Sequence, residues 1–431
     1  MTGFKRSLMT RFSRFIGFVL TLSVAVLNFT SEMIAVRSLP QAVFIETTAG
    51  VESAASVQTG AGASFGLSPA SAGGVVTVAD NRSERLSARR LRVRLFGIFE
   101  LASIPVFASE REELIPCGNA VGISIRTDGV LIVGFNAVSD KSGSSLCPAE
   151  KSGLRAGDII LAVNGSPVTS AEELQLALNA HPESALIRYE RGGRIGTLSV
   201  TPLIGTDGGA RIGAWVRDST IGIGTLSFIT ADSHYTAALG HSVVDADTGK
   251  LLPVRTGETV LAEILGVTRG IPGMPGELKG TFSAKSEYIG AILANTALGV
   301  FGKCEDAAPL FTPEAAAAAV LPVAFPNEVH TGNAYIFAQV DGSGPQRYSC
   351  SILRASKQGR PDQKGLVIAI TDERLLAATG GIVQGMSGSP IIQDGRLAGV
   401  VTHVFVNDPT HGYGIYAYWM LDECRSSAGG F

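Results

Sequence analysis

The chain has 431 residues, more than one ordinary core supports, so two or three domains are expected. Charged residues make up only 17% and glycines number 52, the composition of a turn-rich, mainly β protein. With 35 basic against 38 acidic residues and a net charge of -3, there is no extended cationic surface for a phosphate backbone, which argues against nucleic acid as a partner.

The amino terminus carries Lys5, Arg6, Arg11 and Arg14, then a mainly apolar run from Phe15 to Phe29, with Glu32 soon after. This is the pattern of an export signal. The run falls short of the roughly 20 residues that span a bilayer, so residues 1–36 read as a signal peptide or a marginal membrane anchor. The rest of the chain is then expected outside the cytoplasm, secreted or membrane-tethered. Residues 37–110 read as a linker, partly low-complexity. Within them Ala49 to Asp80 is rich in Gly, Ala, Ser, Thr and Val, and Ser83 to Arg94 is strongly basic.

The five cysteines, at 117, 147, 304, 350 and 424, include no CxxC pair and no neighbouring histidines at zinc spacing. Neither a structural metal nor a cofactor is expected. Cys117 and Cys147 fall in one expected domain and could bridge in an oxidising compartment.

From residue 111 to 205 the pattern becomes one of short strands, Val121 to Ile125, Val130 to Phe135, Asp158 to Val163 and Ala185 to Tyr189. One helix interrupts them. It begins at Ser170, with Glu173 completing a capping box and Leu174, Ala177 and Leu178 on one face. The segment from Lys151 to Ile160, Lys-Ser-Gly-Leu-Arg-Ala-Gly-Asp-Ile-Ile, with Val163-Asn164-Gly165 after it, resembles the signature of PDZ domains. Such a domain binds a peptide by adding it as a strand to an open sheet edge. By this resemblance the loop holding the peptide carboxylate falls at Val121, Gly122, Ile123 and Ser124. The ligand could be the protein's own amino-terminal region, brought back by the linker.

Residues 206–431 again read mainly as strands and turns, with an Ala-rich helix expected from Pro313 to Val320. The hexapeptide Gly385-Met386-Ser387-Gly388-Ser389-Pro390 resembles the nucleophile loop of trypsin-like peptidases. It leads into two apolar runs joined at Asp394-Gly395, a hairpin rather than the strand-turn-helix of an α/β-hydrolase. Ser387 is then the attacking hydroxyl. The amides of Gly385 and Ser387 would form the oxyanion hole, and Met386 stands where digestive relatives carry an aspartate. A serine needs a base within reach. Of six histidines, His181 lies in the PDZ segment, His234 in a polar turn and His330 outside the motifs; His241, at the end of Ala237-Ala238-Leu239-Gly240, leads, with His403 and His411 as rivals.

Trp215-Val216-Arg217-Asp218, Gly222 to Thr225, Ala238 to His241, Pro275 to Gly280, Gly380 to Pro390 and Thr402 to Pro409 are together similar to the SpoIVB peptidase family over residues 95 to 425. The resemblance implies a PDZ domain followed by a chymotrypsin-like double β-barrel. It also implies a triad of Ser387, His241 and Asp372, with Asp245, Asp247 and Asp408 as rival acids. Taken locally, Asp372 before Glu373-Arg374-Leu375-Leu376 also reads as a helix cap. The family role implied is a self-cleaving serine endopeptidase in the space between the two forespore membranes. There it cuts a regulator of an intramembrane metalloprotease, which lets pro-sigma-K be processed. The alternative is a PDZ scaffold or signalling adaptor with an inactive peptidase-like domain.

Overall fold

The computed structural model describes residues 99–428 except 144, 233, 284 and 312–318, and before them 16–18, 21, 41–46, 56–58, 64–66, 76–78 and 89–95. The chain divides into two compact units, residues 1–111 with 357–360, and residues 112–356 with 361–431.

In the first unit the strands Val43–Glu46, Phe99–Ser109, Arg89–Leu95 and Val76–Val78 lie side by side in that order. The segment expected as linker therefore contains a four-stranded sheet. The basic residues hid it: Arg90, Arg92 and Arg94 alternate with Leu91, Val93 and Leu95 at the two-residue period of a strand. The expected export segment lies almost wholly outside the described residues. Among the described residues no helix is long and apolar enough to cross a membrane.

The second unit opens with β1 (Glu113–Pro116) and β2 (Ala120–Phe135). After β2 come β3 (Ile159–Val163), helix α1 (Ala171–Ala180), β4 (Ala185–Arg191) and β5 (Arg194–Val200). The chain then returns as β6 (Ala214–Thr230). β6 pairs antiparallel with β2 over most of its length, from Ala214 opposite Phe135 to Thr225 opposite Ala120. One end of this long ribbon belongs to the PDZ fold, whose core gathers Ile132, Leu154, Ile160, Leu174, Leu178 and Ile187. Its other end belongs to a barrel.

That barrel continues with β7 (Tyr235–Ala238), β8 (Thr256–Leu261), the hairpin β9 (Glu263–Thr268) and β10 (Glu277–Thr281), then β11 (Tyr288–Thr296) and β12 (Gly299–Lys303). Pairings run β2 to β8 to β11 to β12 to β7 to β6 and back to β2, a closed ring of six strands. The second barrel is formed by β13 (Gly332–Ala338), β14 (Gln346–Ala355), β15 (Leu366–Ile370), β16 (Pro390–Gln393), β17 (Arg396–Phe405) and β18 (Asp408–Tyr416). It closes in the order β13, β14, β15, β18, β17, β16. Helix α2 (Glu373–Thr379) precedes β16, and α3 (Ala417–Ala428) ends the described chain. Most of the expected Ala-rich helix, residues 313–318 of 313–320, lies outside the described residues.

The fold is mainly β, a PDZ domain with a double β-barrel. The two are nested rather than consecutive. β1 and the first half of β2, expected within a PDZ domain of residues 111–205, are strands of or beside the first barrel, and the PDZ sheet takes Ala214 to Arg217 from β6. Polar ties fix the joint: Asp218 accepts from the Ala171 N–H at the start of α1 (2.9 Å), and Lys250 Nζ donates to the Gly157 carbonyl (2.7 Å).

Several local readings hold. Ser170 Oγ accepts from the Glu173 N–H at 3.1 Å, and Leu174 and Leu178 are buried. The carboxylate of Glu173 reaches back to Thr169 instead of Ser170. Asp158 accepts from the Arg155 N–H at 2.8 Å and also pairs with Arg191. All five cysteines are free. The bridge left open between Cys117 and Cys147 is not formed, because Cys117 belongs to the first-barrel core, beside Cys304, whereas Cys147 packs on the PDZ core.

Candidate active site

Ser387 sits in the loop between α2 and β16. Helix α2 stops at Gly380, whose left-handed φ of 79° caps it, and the chain then turns at Gly385 (φ 96°) and Gly388 (φ 107°). These two glycines are steric requirements. A Cβ at 385 would come within 3.0 Å of Leu278 on β10, and one at 388 within 2.0 Å of the Thr225 carbonyl. Met386 is fully buried, so this loop is anchored by apolar burial where an ion pair could have served. Among the described residues, the N–H groups of Gly385 and Ser387 donate to no acceptor. Two such N–H groups flanking a serine can receive a developing oxyanion.

The Ser387 hydroxyl donates to the carbonyl of Thr402 at 2.6 Å. His403 follows Thr402, and its ring centroid lies 5.0 Å from that of His241. Ser387 is thus hydrogen-bonded to the residue before His403, whose ring packs against that of His241. His241 arrives by an unusual turn: Leu239 and Gly240 both have left-handed φ, 70° and 71°. For leucine this conformation is strained, and such strain gathers at functional sites. His241 Nδ1 lies 2.9 Å from the Ser242 carbonyl, which fixes the proton on Nδ1 and leaves Nε2 as the basic nitrogen. Burial lowers the pKa of His241, outweighing the opposing hydrogen bond to Ser242. Burial also holds His403 down, to about 4, with the nearby His241 charge adding to the shift. Both imidazoles are therefore neutral near pH 7.

The structure does not bring Asp372 to His241. Its carboxylate accepts from the Arg374 N–H, the Arg374 guanidinium and the Ser349 N–H, and it caps α2. The Arg374 hydrogen bond leads in holding its pKa down, to about 2. The local cap reading therefore describes this residue, and the triad role implied by resemblance has no geometry behind it here. The rivals are committed elsewhere as well. Asp245 and Asp247 pair with Arg217, and Asp408 lies 2.6 Å from His411. His234 contributes its backbone to the turn before β7, His181 closes α1, and His330 contacts Asp394.

The expected peptide site also moves. Val121, Gly122, Ile123 and Ser124 lie in the middle of the first barrel, paired to β6 on one side and β8 on the other, so no edge is open. A Cβ on Gly122 would strike the Phe282 ring at 2.4 Å. The open edge belongs instead to Ala214 to Arg217 at the start of β6, which faces α1. A cavity of about 490 Å³ lies there, walled by Leu174, Gln175, Leu178, Ile212, Ala214 and Val216. Ile212-Gly213-Ala214 repeats the apolar-Gly-apolar pattern of Val121-Gly122-Ile123, and that was the signal available in the sequence.

The model of the SpoIVB peptidase S55 family matches residues 208–421, and a PDZ model matches residues 142–191. No curated protein matches the chain. Among solved structures, it is similar to the PDZ domain of an SdrC-like protein from Listeria monocytogenes, at 24% identity over 21% of this chain and 90% of that one (TM-score 0.17). It is also similar to the HtrA-type protease AlgW with a decapeptide, at 13% identity over 50% of this chain and 55% of that one (TM-score 0.29). A protease from M. tuberculosis in its active form matches at 15% identity over 48% of this chain and 74% of that one (TM-score 0.28). With a domain of the SpoIVB peptidase S55 family over residues 208–421 and a PDZ domain ahead of it, this chain is a serine endopeptidase.

Proposed function

We propose that the chain is exported and, during sporulation, cuts a regulator of an intramembrane metalloprotease, so that pro-sigma-K is processed in the signal from forespore to mother cell. The observation that carries the catalytic part is the meeting of Ser387, two unpaired loop N–H groups and the neutral His241 at the junction of the barrels. Ser387 attacks the scissile carbonyl, His241 takes its proton and returns it to the leaving amine, and the Gly385 and Ser387 amides hold the oxyanion. The signalling part rests on the S55 family match.

Export, self-cleavage and tethering by residues 1–36 belong to the same reading, as does a peptide ligand in the groove between α1 and β6. That ligand is a segment of the substrate or of the chain's own amino-terminal region. Co-expressing the chain with the regulator, the metalloprotease and pro-sigma-K tests it. Processed sigma-K should appear with the wild-type chain and not with Ser387→Ala. Processing that ignores the serine would overturn the proposal, and so would activity of a carboxy-terminal fusion partner that works only in the cytoplasm.

A further inference from the structure

We infer that Thr225, a side chain that reacts with nothing, is a positioning residue for the oxyanion loop. Three successive peptide planes make up that loop, and each is held by the end that faces away from the reacting centre. The plane that carries the Gly385 N–H is held through the Gln384 carbonyl, which accepts from the Leu278 N–H at 2.9 Å. The plane that carries the Ser387 N–H is held through the Met386 carbonyl, which accepts from the Ser389 N–H at 3.0 Å. A trans peptide points its N–H and C=O in opposite directions, so anchoring each carbonyl fixes where each free N–H points.

The middle plane joins these two. Its N–H donates to the Val383 carbonyl at 3.1 Å, and its carbonyl, that of Gly385, accepts from Thr225 Oγ1 at 2.6 Å. This is the one anchor of the three carbonyls that a side chain supplies. Without it the middle peptide can rotate, and the two N–H groups lose their common aim.

Thr225 is tied in on both sides. It is 2% exposed; its N–H donates to the Ser387 carbonyl at 3.1 Å, and its carbonyl accepts from the Leu239 N–H at 3.2 Å, two residues before His241. One residue of β6 in the first barrel thus touches both the serine loop of the second barrel and the turn that delivers the base. The backbone ties do not depend on the hydroxyl, so it can be tested separately.

The experiment measures the rate of fluorophosphonate labelling at Ser387 in the full chain, resolved into probe binding and the chemical step, alongside thermal unfolding. Thr225→Val keeps the shape and removes the hydroxyl. The chemical step should slow about 10- to 100-fold with probe binding unchanged, because a small misplacement of catalytic groups costs about that much. Thr225→Ser should restore the rate. Thr225→Ala, which cannot clash, should repeat the loss if the valine variant does not fold. A merely structural role would lower the unfolding temperature and leave the chemical step alone, and that result would overturn the inference. Equal rates in the serine and alanine variants would also overturn it. A wild-type chain that does not label at Ser387 would remove the serine reading on which the inference rests, and the inference with it.

Discussion

The serine half and the histidine half of the catalytic cleft are built to different standards. On the serine side every peptide of the loop is anchored, Gly388 leaves no room for a side chain, Gly385 holds a φ of 96° that favours glycine, and Met386 is buried beneath. On the histidine side, the His241 ring makes one hydrogen bond, to the carbonyl of the next residue, and rests against His403. Among the described residues no carboxylate bonds to it. On the proposed mechanism the rigidity lies in the loop that would receive the oxyanion, where misdirected donors lose most of the transition-state stabilisation, and the base is aligned when substrate binds. The Ser387 hydroxyl itself is held by the Thr402 carbonyl and turns by rotation about one side-chain bond.

The largest effect expected from this contrast is that of Ser387→Ala, which should lower turnover of a cleaved peptide by about four to six powers of ten while the chain stays folded. His241→Ala should approach the same floor. The double variant should be no worse than either single one, because the two groups act as a unit. Additive losses in peptide turnover would mean that the serine finds another base.

The acid limb of the pH profile sharpens the comparison further. A base whose pKa is lowered by burial stays neutral, and so active, to lower pH than an ordinary histidine. The midpoint of kcat/KM should therefore fall below about 6.5. His403→Ala opens the ring of His241 to water and should move the midpoint back up toward that value; His403→Phe, which keeps a ring against it, should not. The same shifts bear on stability. Groups whose folded pKa is depressed favour folding above their unfolded pKa; that contribution is lost as pH falls below about 6.5, for His403 down to about 4. Chemical denaturation across that range would register it.

Asp372→Ala gives the smallest effect and the cleanest separation of the two readings of that residue. As a helix cap it should cost about 0.5–2 kcal/mol of stability, seen in the denaturation midpoint, with the labelling rate of Ser387 unchanged. A loss of several powers of ten in labelling would restore it as the triad acid and require α2 to rearrange.

The chain's local chemistry determined what short segments could determine alone. Asn164 and Asp394 adopt left-handed φ of 49° and 50°, each followed by a glycine, as their dipeptides require. Ser170 caps its helix, Asp372 caps another, and the Gly-Met-Ser-Gly-Ser-Pro loop leads into a hairpin. Each of these depends on residues within a few positions of one another. Only the tertiary structure decided which of two similar apolar-Gly-apolar segments keeps a free edge. Val121-Gly122-Ile123 is closed off by β8, more than 130 residues later in the chain, while Ile212-Gly213-Ala214 leads into the open edge beside α1. In the same way, residues 114–126 lie in or beside the first barrel because their partners are β6 and β8 rather than their sequence neighbours. Thr225 and Thr402 fall in segments the resemblance marks, but nothing in those segments says what their polar groups hold. Their roles exist only because two barrels bring distant strands within hydrogen-bond distance of one serine, a pairing that no local propensity encodes.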